Sequence, residues 1–211
     1  MSVTAADPPA IESESLWEDK RSRLQAEHVR PLNNLVMAWR TQDPSALIPW
    51  FDPDDGGADA PVLVLMEAPG PATVRPGGSN FCSEDNSDGT ARTLRRLREE
   101  VELPRHGYLK WNIVPWAVHG PDGHWRAPQQ TDLVAAHPAL AELMQTLPKL
   151  RLVIAMGQPA CNGLMAYLAA QPILDPPLVL AVPHPSQRNT VGRTQAEQRI
   201  CHALAYARTL G

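Results

Sequence analysis

The chain has 211 residues, of which 43% are hydrophobic and 20% are charged, as in an ordinary soluble protein large enough to bury a core. A formal net charge of -4 argues against broad, charge-driven binding of nucleic acid, although a local basic patch can exist on an acidic protein. No apolar run reaches the length of a membrane span and the first ten residues lack a secretory pattern, so we expect a cytoplasmic protein.

Two helices are predicted at the amino-terminal end. The helical pattern runs from Leu16 to Trp39 and is interrupted at Pro31, which can open a second helix as its first residue. Residues 43 to 59 form a connection rich in Pro, Asp and Gly. We therefore expect an N-terminal part, residues 1–59, that packs on a single α/β domain, residues 60–211.

Four apolar segments predict strands, and helices alternate with them. Val62 to Met66 is an unbroken apolar run, which is typical of a parallel strand covered on both faces. The other predicted strands are Leu109 to Val114, Leu150 to Met156 and Pro177 to Val182. The predicted helices are Thr90 to Val101, Thr131 to Leu147 with a break at Pro138, Ala160 to Ala170, and Thr194 to Leu210. This alternation predicts a three-layer α/β/α sandwich around a four-stranded parallel sheet.

Polar side chains follow three of these strands. Glu67 follows the first, Asn112 lies near the end of the second, and His184 follows the fourth. Because the carboxyl ends of parallel strands meet at one edge of a sheet, we expect the three side chains to lie close together. Each has an ordinary explanation by itself: a solvent-facing carboxylate, an amide that satisfies loop backbone, a hydrogen-bonded buried histidine. Together they indicate a ligand site.

Short motifs at these positions resemble signature segments of the uracil-DNA glycosylase superfamily. MEAPG, ending at Gly70, resembles the GEAPG form of its first motif, and His-Pro-Ser from His184 resembles its second. WNIVP, which contains Asn112, resembles a third segment. Phe81 lies thirteen residues beyond Ala68, similar to the aromatic residue that stacks on the extruded base. The resemblance covers most of the chain, residues 62–199, and implies the fold of that superfamily.

The activity implied by the resemblance is hydrolysis of the N-glycosidic bond of uracil, or of another deaminated base, in DNA during base excision repair. Such an enzyme must flip the base out of the stack. The resemblance implies that Glu67 orients water or stabilises the cationic sugar and that His184 donates to the base. It implies base contacts from Ala68, Pro69, Gly70, Phe81 and Asn112. The implied DNA contacts are Arg75, Ser186, Gln187, Arg188 as a wedge in the vacated stack, and Arg193.

The chain departs from the family pattern at several positions. Met66 replaces a glycine, and Ala68 stands where several branches have Asp or Asn, which leaves Glu67 as the expected carboxylate. Gly70 stands where the best-known branch has a tyrosine that excludes thymine, so hypoxanthine and xanthine stay open as substrates beside uracil. The GEAPG branch normally holds an iron-sulfur cluster on four cysteines. The chain has three dispersed ones, so we expect no cluster, metal or other cofactor: Cys82, Cys161 and Cys201.

Other functions stay open from the sequence. A relative without catalysis would bind DNA or a lesion through the same cleft, and a hydrolase of free nucleosides or nucleotides would suit the acidic net charge. A metallohydrolase built on His119, Asp122 and His124 is disfavoured because their spacing lacks a helical ligand motif. Dinucleotide binding is weaker still, since no GxGxxG follows the first strand. We expect a monomer that acts on DNA containing a damaged base and does not bind membranes.

Overall fold

The computed structural model describes residues 10–171, 176–186 and 192–210. The helices in these ranges are α1 (Ala10–Ser22), α2 (Arg30–Gln42), α3 (Pro71–Val74), α4 (Gly89–Glu100), α5 (Gln130–Ala135), α6 (His137–Gln145), α7 (Gln158–Ala170) and α8 (Arg193–Arg208). The strands are β1 (Trp50–Phe51), β2 (Val62–Met66), β3 (Phe81–Cys82), β4 (Leu109–Asn112), β5 (Leu152–Met156) and β6 (Leu178–Val182). None of the described helices has the length and apolar composition that a membrane crossing requires.

The central sheet consists of four parallel strands in the order β4, β2, β5, β6. At its carboxyl edge, Met66 pairs with Asn112 on one side of the sheet, and Met156 pairs with Val182 on the other. Helices pack against this sheet and connect its strands. The predicted four-stranded parallel sheet and α/β/α class are confirmed.

Two apolar layers explain why β2 is apolar at every position. Leu63 and Leu65 pack into the layer that contains α2 and α5 to α7, whereas Val62 and Val64 face the layer that contains α4 and α8. All of these side chains are fully buried. Burial of each such side chain contributes roughly 1.5–3 kcal/mol, so a polar substitution anywhere in this strand would be destabilising.

A second, two-stranded parallel sheet joins the predicted connection at residues 43 to 59 to a segment after the first strand, for which no strand is predicted. Trp50 of β1 pairs with Phe81 of β3, and Phe51 pairs with Cys82. Phe51 is fully buried and stacks on Trp111 of β4, with the ring centroids 3.5 Å apart. Phe81 and Cys82 are thereby held beside the end of the central sheet.

A buried ionic network fixes α1 to the same region. Lys20 has no exposed surface, and its Nζ lies 2.7 to 2.8 Å from carboxylate oxygens of Asp52, Asp54 and Asp85. Arg105 binds Asp52 and Asp85 from the other side, each at 2.6 Å. The three carboxylates are close enough together to hold a metal ion, but the cation they surround is the chain's own lysine.

Candidate active site

Glu67 and Asn112 are held at the same level on neighbouring strands. Asn112 is the last residue of β4 and pairs with Met66, the residue before Glu67. The ladder continues past the strands, since the Ile113 amide donates to the Met66 carbonyl at 2.8 Å and the Val114 amide donates to the Glu67 carbonyl at 3.1 Å. The carboxylate and the amide therefore share the carboxyl edge of the sheet, as the sequence predicts.

Gly157 brings Glu67 and His184 together. It follows β5 with φ of +93°, and its amide donates to the Val182 carbonyl at 2.9 Å. A Cβ atom at this position would lie 2.4 Å from Glu67 Oε1 and 3.2 Å from His184 Cβ. Both side chains thus pack against one glycine. The sequence analysis missed this residue, although a glycine directly between a buried strand and a helix opened by proline is a usable signal.

Burial shifts the titration of both groups. It raises the pKa of Glu67 above the ordinary value of 4.5. It lowers the pKa of His184 from 6.5 to about 4, with the positive charge of Lys110 acting in the same direction and Asp88 opposing it. His184 is therefore neutral at neutral pH, where an imidazole can still donate one N–H.

The amide of Asn112 is buried against a thiol. Its side chain is among the buried polar groups, with 6% of the residue exposed, and its Nδ2 lies 3.5 Å from Cys82 Sγ, to which it donates. Burial raises the pKa of Cys82 to about 11, so the sulfur stays a neutral thiol. This contact orients the amide and leaves its oxygen and one N–H for a ligand.

Phe81 has no exposed surface in this structure. Its ring is stacked on that of Trp17 in α1, with centroids 5.9 Å apart and planes 14° apart. Asn86 fixes the Phe81 backbone by donating to its carbonyl at 3.0 Å. A base can therefore stack on Phe81 only after a neighbouring side chain moves. The sequence analysis did not identify Trp17 as a neighbour of the site.

The turn after Glu67 is small and partly open. Ala68 is half-buried, Pro69 is buried and Gly70 is exposed. A Cβ atom on Gly70 would meet nothing within 4 Å, and its φ of -86° suits any residue. Glycine is thus not required there by the fold, and the space around it is open.

Three of the predicted DNA-contact residues fall within the described residues, and these three lie at the same edge of the sheet as Glu67. Arg75 is exposed and directly follows α3, the short helix that begins after the turn at the end of β2. Ser186 and Arg193 line a small cavity together with His184, and Arg193 is paired with Glu197 at 2.9 Å. Gln187 and Arg188 lie outside the described residues.

The segment that would carry a metallohydrolase is a hairpin. His119 and Trp125 pair across it and their rings are 4.4 Å apart, while the Asp122 carboxylate accepts the His124 amide at 3.0 Å. Within the described ranges these groups do not converge on a metal position, and neither do the thiols. The thiols are free and lie in three different elements: Cys82 in β3, Cys161 in α7 and Cys201 in α8. Three thiols so placed do not fit a four-cysteine iron-sulfur cluster.

Comparison with known proteins places these residues in a family context. The model of the uracil DNA glycosylase superfamily matches residues 53–208, a range that contains Glu67, Asn112 and His184. Among solved structures, wild-type SMUG2 of Pedobacter heparinus matches with a TM-score of 0.53 and 9% sequence identity, over 92% of this chain and 97% of that chain. At that identity the likeness concerns the fold. No curated protein sequence matches the chain.

Proposed function

This chain belongs to the uracil DNA glycosylase superfamily, and we propose that it is a DNA glycosylase that releases uracil or another deaminated base from DNA in base excision repair. The observation that carries the proposal is that Glu67 and His184 both pack against Gly157, and that Glu67 follows the strand next to the one that ends at Asn112. The reaction needs a group that stabilises the sugar cation, a donor to the leaving base and a group that recognises the edge of the base. The carboxylate, the imidazole and the amide match these three tasks in that order. The proposed substrate is DNA, bound by the protein as a monomer in the cytoplasm.

Glu67 acts on the sugar side. Breaking the N-glycosidic bond gives an oxocarbenium-like sugar, which a nearby carboxylate stabilises and which water then attacks. The half-buried carboxylate can hold that water and accept its proton. Ala68 leaves no second carboxylate in the turn, so Glu67 takes both roles.

Asn112 and His184 act on the base. The Asn112 amide can accept from uracil N3–H and donate to O4, a pattern that cytosine cannot match. The neutral His184 donates to O2 as negative charge develops there. Ala68, Pro69 and Gly70 form the wall beside the base, and Phe81 stacks on it once its ring is uncovered.

Contacts with DNA come from the loops around the pocket. Arg75 and Arg193 bind phosphates, and Ser186 hydrogen-bonds a phosphate oxygen. Gln187 and Arg188 enter the duplex, where the planar guanidinium of Arg188 fills the gap left by the flipped nucleotide. Because the net charge of the whole chain is negative, DNA affinity depends mainly on these local cations.

Base release from labelled oligonucleotides tests the proposal. Single and double strands would carry uracil, hypoxanthine or xanthine, and release would be followed under single-turnover conditions. We expect release by the wild type and a loss of at least about tenfold, or about 1.4 kcal/mol, for Glu67→Gln and His184→Ala. Glu100→Gln and His202→Ala are matched controls, because both side chains are exposed on helices outside the site.

Three other outcomes would count against parts of the proposal. Equal release by wild type, Glu67→Gln and His184→Ala would keep the activity and reject the site. DNA binding without release of any base would indicate a non-catalytic relative. Release from free nucleosides but not from DNA would indicate a nucleoside hydrolase.

A further inference from the structure

The leaving base carries negative charge in the proposed reaction, and His184 does not supply a positive one. The C1′–N bond breaks and its electron pair stays on the base, which leaves as an anion. His184 is neutral at neutral pH because burial lowers its pKa to about 4. It therefore contributes a hydrogen bond to the base but no net charge. A fixed cation near the base would stabilise the transition state further.

Lys110 is a buried cation of the kind that this reaction needs. It lies in β4, two residues before Asn112, so both side chains leave the same face of the strand. Only 7% of the residue is exposed. Its Nζ donates to the Ser83 carbonyl at 3.0 Å, and within the described parts of the chain no carboxylate forms an ion pair with it.

The other buried lysine shows how this chain neutralises such a charge. Lys20 is surrounded by three carboxylates at 2.7 to 2.8 Å. Asp55, the carboxylate that meets the Lys110 backbone, accepts from the amide of that residue and from Arg105. A buried ammonium bound to one carbonyl is costly in free energy, because hydration is lost without an opposing charge. The charge of Lys110 is thus available to a bound anion.

Lys110 is linked to Asn112 by a hydrogen-bonded segment and to His184 by its charge. Ser83, its partner, follows Cys82, whose sulfur accepts from the Asn112 amide at 3.5 Å. Its positive charge also acts, after burial, to lower the pKa of His184, and it opposes the larger effect of burial on the Cys82 thiol. The ammonium is therefore bound to the residue that follows Cys82, the partner of Asn112, and its charge also acts on His184.

We infer that Lys110 is the cation of the base pocket, stabilising the negative charge that develops on the leaving base while His184 stays neutral. This inference rests on the proposed function. In the full step the C1′–N bond breaks with its electron pair on the base, the water oxygen bonds to C1′, and the water proton passes to Glu67. The base takes a proton from solvent after release. Lys110 transfers no proton and acts through its charge, as a positioning and electrostatic residue.

Two substitutions separate charge from structure. Lys110→Gln removes the charge but keeps an N–H donor for the Ser83 carbonyl, and Lys110→Met removes both. Lys149→Met is the matched control, because it removes an exposed positive charge at the amino edge of the sheet, where Lys149 pairs with Asp59. Thermal unfolding and circular dichroism establish which variants are folded. If Lys110→Met does not fold, the comparison is made with Lys110→Gln alone.

The first readout is base release with two leaving groups. Single-turnover rates would be compared for oligonucleotides containing uracil and 5-fluorouracil, since the fluorinated base is the more stable anion. We expect Lys110→Gln to slow uracil release by at least about tenfold and 5-fluorouracil release by clearly less. A merely structural defect would slow both equally.

The second readout is the titration of His184 by NMR, which needs no turnover. We expect the pKa of His184 to rise in Lys110→Gln and to stay unchanged in Lys149→Met. The other charged groups around His184 are the same in both proteins: Glu67 after β2, Asp88 before α4, and Arg193 and Glu197 in α8.

The outcomes distinguish this inference from the proposed function. Two results would overturn the role of Lys110 alone, provided that the wild type releases uracil. In the first, Lys110→Gln slows the release of uracil and of 5-fluorouracil by the same factor. In the second, Lys110→Gln releases both bases as fast as the wild type. A wild type that releases no base from any substrate would overturn the proposed function, and the role of Lys110 with it. An unchanged His184 pKa in Lys110→Gln would show that the charge does not reach the pocket and would also overturn the inference.

Discussion

The carboxylate of Glu67 packs directly against Gly157, with Oε1 only 2.4 Å from the position where a side chain would begin. Any Cβ atom there must displace Glu67 or His184, whose own Cβ is 3.2 Å from the same point. The backbone φ of +93° adds strain for a residue other than glycine. Gly157 is therefore a steric requirement of the site, although it contributes no functional group.

Gly157→Ala should lose base release while the protein still folds. We expect a decrease of at least about a hundredfold, because catalytic groups displaced by an ångström lose rate of this order. The measurement is single-turnover release beside thermal unfolding. Gly123→Ala is the control, since Gly123 has φ of +75° but a Cβ atom there would meet nothing within 4 Å. Equal rates for the two variants would contradict the steric argument.

The sequence predicts the central sheet well because its signals are local. The unbroken apolar run at Val62–Met66 and the prolines that open helices determine most elements, and the carboxyl-edge rule then brings Glu67, Asn112 and His184 to one edge. The first helix is the exception, because α1 begins at Ala10 rather than Leu16 and ends at Ser22, well before Pro31. The observed bounds of the other predicted helices and strands differ from the predicted ones by at most three residues. Such a difference is expected where helix ends are set by capping, as in α5, which begins after a Gln129 cap.

The remaining features depend on contacts between distant segments, and local patterns do not encode them. The two-residue strands β1 and β3 are too short to show alternation, yet they bring Cys82 to Asn112. Lys20 reads as an exposed helix residue but is buried by carboxylates that lie more than thirty residues away. Lys110 lies in an apolar strand and gives no sign that its charge lacks a carboxylate partner. The N-terminal division at residue 59 and the roles of the site residues stay predictions.

The rate of base release should fall in acid through the titration of Glu67. Burial raises the pKa of this group above 4.5, and only its ionised form can accept a proton from water. As the pH falls through that pKa, the single-turnover rate should decrease about tenfold per pH unit. The residual rate of Glu67→Gln should not show this decrease in acid. A wild-type rate that stays constant down to pH 4.5 would exclude Glu67 as the base.

Folding stability should also fall in acid through His184. Its pKa is 6.5 in the unfolded chain and about 4 in the folded protein. Between these values the unfolded chain binds a proton that the folded protein does not, so the free energy of unfolding decreases as the pH falls through this window. Chemical denaturation of His184→Gln should show a smaller decrease over the same range. His202→Gln, at an exposed position, is the control, and an identical decrease in all three proteins would contradict the assignment.

Lys20→Met should destabilise the protein most at neutral pH. The substitution leaves Asp52 and Asp85 buried near Asp54 without their shared ammonium, which costs about 3–5 kcal/mol when one partner of a buried ion pair is removed. Burial alone would raise the pKa of Asp85, but Arg105 and Lys20 lower it overall. Without Lys20 that pKa rises, so protonation in mild acid should relieve part of the cost. Lys149→Met should change the unfolding free energy little, since that pair is exposed.

Trp17→Ala should strengthen the binding of DNA that contains uracil. Phe81 has no exposed surface, and the stacked Trp17 ring covers part of it. Because stacking of a base on an aromatic side chain contributes about 1–3 kcal/mol, uncovering Phe81 should lower the dissociation constant by about fivefold to 150-fold. Fluorescence anisotropy in a Glu67→Gln background would measure binding without turnover, and Trp17→Phe, which keeps a stacked ring, should show a smaller effect. DNA without uracil should bind equally to all variants. Weaker binding by Trp17→Ala would show instead that Trp17 supports Phe81 from the side opposite the base, and would assign α1 to the scaffold of the pocket.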